Sequence, residues 1–243
     1  IDEEGIGRNY TNTEGIIGDA KKSLGSLLEA LQTRMEARDS RREELSKIKE
    51  ERFNPSTVIE PQNSYVEAIR RAMPDDGILI SGMTQIGYYS RNKYEVYEPR
   101  TYLTSSYYGN LGFAYPTALG AKVARPDKPV VAVSGDGGFM FNVQELSTAV
   151  HHKINAIVVV FNDNAFGNVM RDQVNMFDGR EYGAIVHNPD FMKLADAFGA
   201  RGVRIEDGDP ESLEKELSSS INIEAPTLIE VPVGEMPNPF RDY

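Results

Sequence analysis

From about residue 58 onward, short apolar runs rich in β-branched residues alternate with stretches of helical periodicity, and this alternation limits the possible folds most sharply. The runs are Gly77 to Ser81, Val130 to Ser134, Ala156 to Phe161, Ala200 to Ile205 and Pro226 to Val231. Between them the spacing predicts helices over Pro61 to Met73, Leu111 to Ala124, Asn142 to His152, Pro189 to Phe198 and Pro210 to Ile221. Parallel strands cannot be joined by a tight turn, so each crossover needs a helix to carry the chain back to the starting edge. The expected fold is therefore α/β, a doubly wound and mostly parallel sheet.

The first part of the chain reads differently. Ile16-Ile17-Gly18-Asp19 predicts a short strand end followed by a helix N-cap, and Leu24, Leu27, Leu28 and Leu31 recur at helical spacing through about Arg38. Arg38 to Glu51 is almost continuously charged, with Pro55 beyond it, which predicts a solvated linker. The expected division is residues 1–39, a linker over 40–57, and a domain over 58–243. The chain opens Ile-Asp-Glu-Glu, without an initiator Met or a basic-then-apolar segment, so residue 1 is not expected to be the natural start.

A formal net charge of −11 disfavours a phosphate-backbone or anionic-membrane surface, because such surfaces need clustered Lys and Arg. Small-molecule chemistry is the better expectation. With no Cys there is neither disulfide nor thiolate metal site, which fits a cytoplasmic protein. No apolar run reaches the roughly 18 residues of a membrane span.

In doubly wound sheets, ligands collect outside the carboxyl ends of the strands. The run Val130 to Ser134 leads directly into Gly135-Asp136-Gly137-Gly138. Glycines let backbone N–H groups approach an anion closely, and the lone carboxylate among them suits a metal ion. The next run, Ala156 to Phe161, ends in Asn162-Asp163-Asn164-Ala165, a second oxygen-rich loop on the same edge, with Asp163 27 positions after Asp136. Mg²⁺ takes one or two protein oxygens and completes its shell with phosphate and water, so Asp136, a side chain of the second loop and a diphosphate would satisfy it. Which of Asn162, Asp163 and Asn164 supplies that side chain is open on spacing alone. A dinucleotide-binding dehydrogenase shares this fold class, but the chain lacks a strand-to-helix G-x-G-x-x-G.

The stretch Gly135 to Gly167, GDGGFMFNVQELSTAVHHKINAIVVVFNDNAFG, resembles the cofactor-binding fingerprint of thiamine-diphosphate (ThDP) enzymes, closest to the large subunit of acetolactate synthases. Leu103-Thr104-Ser105 through Gly109-Asn110-Leu111-Gly112-Phe113-Ala114-Tyr115-Pro116 resembles the segment beneath the aminopyrimidine ring. Ile1-Asp2, Gly7-Arg8-Asn9 and Gly18-Asp19-Ala20 resemble the end of the family's central α/β domain, so residues 1–39 would be its C-terminal remnant.

The resemblance implies ThDP and Mg²⁺ as cofactors. Asp136 and Asp163 would bind the metal through their side chains and Ala165 through its carbonyl, although the family more often has Asn at the position of Asp163. Gly137 and Gly138 would approach the diphosphate with their N–H groups, near Gly167. Gln85 occupies the place of a glutamine near the diphosphate, and Gly109 offers backbone contacts to the aminopyrimidine. Leu111 would wedge the cofactor into its bent form. Asn168, Val169 and Asp172 would line the substrate side, but acetolactate synthases carry Trp at the position of Asp172 and this chain has none. His151, His152 and His187 are assigned no catalytic role.

The implied activity of the whole enzyme is decarboxylation of a small 2-oxo acid and ligation of the fragment to a carbonyl acceptor. Alternatives are a simple 2-oxo acid decarboxylase, another ThDP lyase, or a non-catalytic ThDP-binding subunit. The activating glutamate of the family belongs to a pyrimidine-binding domain that no segment here resembles. It would come from the same or another subunit of a homodimer or homotetramer, and this chain alone is expected to be inactive.

Overall fold

The computed structural model describes residues 3–52, 58–105 and 107–240; Ile1, Asp2, Pro55 and Ser106 lie outside the described residues. The chain divides into two compact units, Ile1–Thr57 and Val58–Tyr243.

In the first unit, α1 (Ala20–Arg34) starts where the Asp19 side chain accepts the Lys22 N–H at 3.1 Å. It ends at Arg34, four residues before Arg38, and the following Met35 has an extended backbone. Leu24, Leu27, Leu28 and Leu31 are all exposed, and no described residue of this unit is buried. One expectation is corrected here: Ile16 and Ile17 form no strand. Within the exposed charged stretch, part of the chain folds as α2 (Arg42–Arg52). Glu, Lys, Arg and Leu are strong helix formers, and Glu43 and Glu44 place negative charge in the first turn, where the helix dipole favours it.

The second unit runs α3 (Gln62–Ala72), β1 (Ile78–Ser81), α4 (Gln85–Lys93), β2 (Tyr102–Thr104), α5 (Ala114–Ala124) and β3 (Val130–Gly135). It continues with α6 (Asp136–Met140), α7 (Glu145–His151), β4 (Ile157–Asn162), α8 (Gly167–Met176), α9 (Phe191–Phe198), β5 (Arg201–Arg204), α10 (Pro210–Ser220) and β6 (Thr227–Pro232). All six strands are parallel, in the order β2-β1-β3-β4-β6-β5.

The central strands β1, β3 and β4 are largely apolar on both faces because helices cover both. Side chains alternate across a strand, so Val131 and Val133 pack with Tyr65, Ile69, Ile86, Leu213 and Leu217 of α3, α4 and α10. Val130 and Ala132 pack the other way, with Tyr115, Leu119, Leu146 and Phe191 of α5, α7 and α9. Each such large side chain removed from water contributes about 1.5–3 kcal/mol. Among the described residues no helix is long and apolar enough to cross a membrane.

This winding locates a crevice. The chain moves outward from β1 to β2 with α4 on one face, then returns past β1 to β3 with α5 on the other. Strand order reverses between β1 and β3, and in such sheets a cleft opens outside the carboxyl ends at that point.

Candidate functional site

The register pairs Gly135 of β3 with Phe161 of β4, so both strands end at the same level and their loops emerge side by side. Asp136 opens α6 immediately after β3, and Asp163 follows β4 by one residue. With the turn after β1 they bound one cleft. Gln85, Leu111, Asp136, Gly137, Gly138, Asp163, Ala165, Gly167, Asn168 and Val169 all line it. Met83, Phe166 and Met236 complete its apolar wall.

Two sequence candidates fall outside the lining. Gly109 stands behind Met83, with a left-handed φ of 65°, and a Cβ there would come within 2.8 Å of Met83 Cε. Asp172 is exposed on α8, more than a turn beyond the cleft-lining Gly167. His151, His152 and His187 are exposed and none lines the cleft.

Glycine is required where the loops touch. A Cβ on Gly137 would sit 2.4 Å from the Phe166 ring, and one on Gly167 would meet Asp163 Oδ2 at 2.8 Å. Gly137 and Gly138 belong to the first turn of α6, whose N–H groups have no intrahelical acceptor. Gln85 belongs to the first turn of α4 rather than to a loop. Its amide nitrogen donates to Asn168 Oδ1 at 2.6 Å, and Arg171 donates to the same oxygen at 2.9 Å. Gln85 Oε1 is buried and has no partner among the described residues.

The electrostatics are dominated by two acids. Burial raises the Asp136 carboxyl above the usual range, partly offset by hydrogen bonds from Gly137 and Asn188. Burial, and then the negative charge of Asp136, push Asp163 up to about 6. Two carboxyls that burial discourages from ionising, one of them further raised by the other's charge, face one cleft, an arrangement a divalent cation relieves. Among the described residues no group of three His, Asp or Glu side chains gathers anywhere, so a cation here would need carbonyl or ligand oxygens as well. Asn188 was invisible in the sequence reading. Its side chain reaches Asp136 from 52 residues away in sequence, out of the irregular stretch between α8 and α9.

Residues 82–231, which span most of the cleft and of the sheet, match the family model described as thiamine pyrophosphate enzyme, C-terminal TPP binding domain. The chain belongs to the thiamine-diphosphate-dependent enzymes. ThDP is the cofactor of this family, and Mg²⁺ its usual partner metal. Within it the chain is acetolactate-synthase-like, being 32% identical over 231 residues to the acetolactate synthase isozyme 3 large subunit of Escherichia coli (strain K12), covering 91% of this chain and 40% of that protein. It is also 31% identical over 201 residues to the sulfoacetaldehyde acetyltransferase of Castellaniella defragrans, covering 81% of this chain and 33% of that protein. A solved ThDP-dependent 4-hydroxybenzoylformate decarboxylase of Rhodococcus jostii RHA1 superposes with a TM-score of 0.64 at 27% identity, over 71% of this chain and 32% of that one. The chain thus spans about two fifths of the length of the acetolactate synthases it resembles.

Proposed function

We propose that this chain is the ThDP- and Mg²⁺-binding portion of an acetolactate-synthase-like enzyme that decarboxylates a 2-oxo acid and ligates the fragment to a carbonyl acceptor. The observation that carries the reading is the pairing of Asp136 and Asp163 across one cleft, each raised by burial and Asp163 also by its neighbour's charge. In this reading Asp136 and Asp163 hold Mg²⁺ with the Ala165 carbonyl, and the opening N–H groups of α6 at Gly137 and Gly138 meet the diphosphate. The donor set fits. Hard oxygen ligands with a net charge of −2 suit a divalent cation, and a cation-bound water would give the orphaned Gln85 oxygen a donor.

Bound ThDP supplies an electron sink for the charge left by decarboxylation. The chain's own part is to hold the diphosphate end, to present Leu111 as an apolar wedge and to exclude water. Leu111 and Val169 line the cleft yet are 38% and 50% exposed, which supports a second surface closing over them. We assign that surface to a pyrimidine-binding domain carrying the activating glutamate. Residues 1–39 are read as the end of a central domain; the exposed leucines of α1 support this, since their apolar face has no cover within the first unit.

A simple decarboxylase is the second reading, supported by the lack of Trp in the chain and the exposure of Asp172. Calorimetric titration of ThDP with and without Mg²⁺, on the wild type and Asp136→Ala, tests the site. Binding that requires Mg²⁺ and is lost in Asp136→Ala is expected; cation-independent binding would overturn it. Product analysis with pyruvate, in the presence of the pyrimidine-binding domain, separates acetolactate from acetaldehyde.

A further inference from the structure

Asn188 lies just before α9, in a segment laid against the second cofactor loop. Phe166 N–H donates to Ala184 O at 2.7 Å, Val186 N–H donates to Asn164 O at 2.9 Å, and Ala165 forms an antiparallel bridge with Ile185. The segment therefore has a fixed place beside the loop that carries Asp163. From it the Asn188 side-chain amide donates to Asp136 Oδ2 and also reaches Asn162 Oδ1 at 3.0 Å and Asn164 Oδ1 at 3.2 Å. One amide group thus touches both loops.

The contacts continue beneath the cleft. Asn162 Nδ2 donates to Glu230 Oε1 at 2.8 Å, and Arg204 Nε donates to Glu230 Oε2 at 2.7 Å. Arg204 Nη2 then donates to Asp190 Oδ1 at 3.2 Å, and Asp190 caps α9 two residues beyond Asn188. The path leaves residue 188, crosses the carboxyl edge of β4, β6 and β5, and returns to residue 190. Glu230 is only 3% exposed, and a buried carboxylate is tolerated because Arg204 and Asn162 satisfy both its oxygens. A closed ring of this kind resists the drift of any one member, since moving Asn162 would leave Glu230 Oε1 without its donor and moving Asn188 would take a donor from the buried Asp136 Oδ2.

We propose that Asn188 is a positioning residue for cofactor binding: it holds Asp136 Oδ2 so that this carboxylate keeps one orientation at the cleft, and the Glu230–Arg204 pair holds Asn188. The inference rests on the cation site proposed above. A carboxylate held before the cation arrives loses little rotational freedom on binding, and removing the outer partner of a metal-binding group typically weakens the metal about 10–100-fold.

The test is a Mg²⁺ titration at fixed ThDP, read by calorimetry, on the wild type, Asn188→Ala and Asn188→Ser, with thermal melts in the absence of cation. Asn188→Ala is expected to raise the Mg²⁺ concentration for half-saturation about tenfold. ThDP affinity should recover at saturating Mg²⁺, which loop collapse would not allow. Asn188→Ser keeps one short donor and should fall between; it also carries the test if the alanine variant does not melt cooperatively. Half-saturation unchanged in both variants, while Asp136→Ala abolishes binding, would overturn the role of Asn188 and leave the cation site standing. ThDP binding by the wild type without any cation would overturn both.

Discussion

Asp136 and Asp163 come from equivalent places, each immediately after a buried parallel strand, yet the protein holds them differently. Asp136 is 1% exposed, begins a helix, and is held by the Asn188 amide and the Gly137 backbone. Asp163 is partly exposed and accepts the Ala165 N–H at 3.1 Å, in a loop where Asn164 takes a left-handed φ of 56°. The difference separates two tasks. In the proposed cation site, the first loop would fix where the cation sits, and the second would carry the charge that responds to its presence.

The contrast is broken most severely where the loops touch. Gly137→Val should force Phe166 away, costing about 2 kcal/mol in overpacking and weakening ThDP binding roughly thirtyfold, measured by calorimetry and by denaturant melts. Gly138→Ala is the control, because its Cβ would meet Ser134 Oγ at 3.1 Å and Leu111 at 3.7 Å, contacts that small shifts relieve. Equal losses in the two variants would erase the distinction between a tight junction and an ordinary wall.

A smaller effect sharpens the second loop. Asp163 must be ionised to bind a cation and is held near pH 6, so Mg²⁺ affinity should fall roughly tenfold between pH 7 and pH 5. Asp163→Asn should flatten that dependence. Without cation the sign reverses. The folded state keeps the proton that the unfolded chain releases near the ordinary aspartate value of about 4, so stability falls as pH rises from about 4 to about 6. A melt that becomes more stable through that window would contradict the assignment. Smallest of all, Leu111→Ala should change stability by less than about 0.5 kcal/mol, since the side chain is 38% exposed, while ThDP affinity drops a few-fold.

Much of this was legible in the sequence because burial writes itself there. β3 and β4 are covered on both faces along almost their whole length, so they read as continuous apolar runs, and the loops that follow them could be placed on one edge. Elements without that signature were missed. β2 is a three-residue edge strand with no fully buried side chain, and α8 buries none of its residues, so neither stands out as an apolar run. In α4, Gly87 interrupts the helical pattern for a packing reason, since a Cβ there would lie 2.0 Å from Gly82 O. Asn188 carries no signal at all. A polar residue in an irregular segment reads as solvent-facing until the fold brings it to Asp136.

The proposed cation between the two carboxylates is tested most directly by a crystal structure of the chain grown with ThDP and Mn²⁺. The anomalous peak should lie within about 2.2 Å of side-chain oxygens of Asp136 and Asp163 and of the Ala165 carbonyl, with diphosphate oxygens completing the shell. A peak away from these three groups, or ThDP ordered in the cleft with no metal between its diphosphate and Asp136, would contradict it.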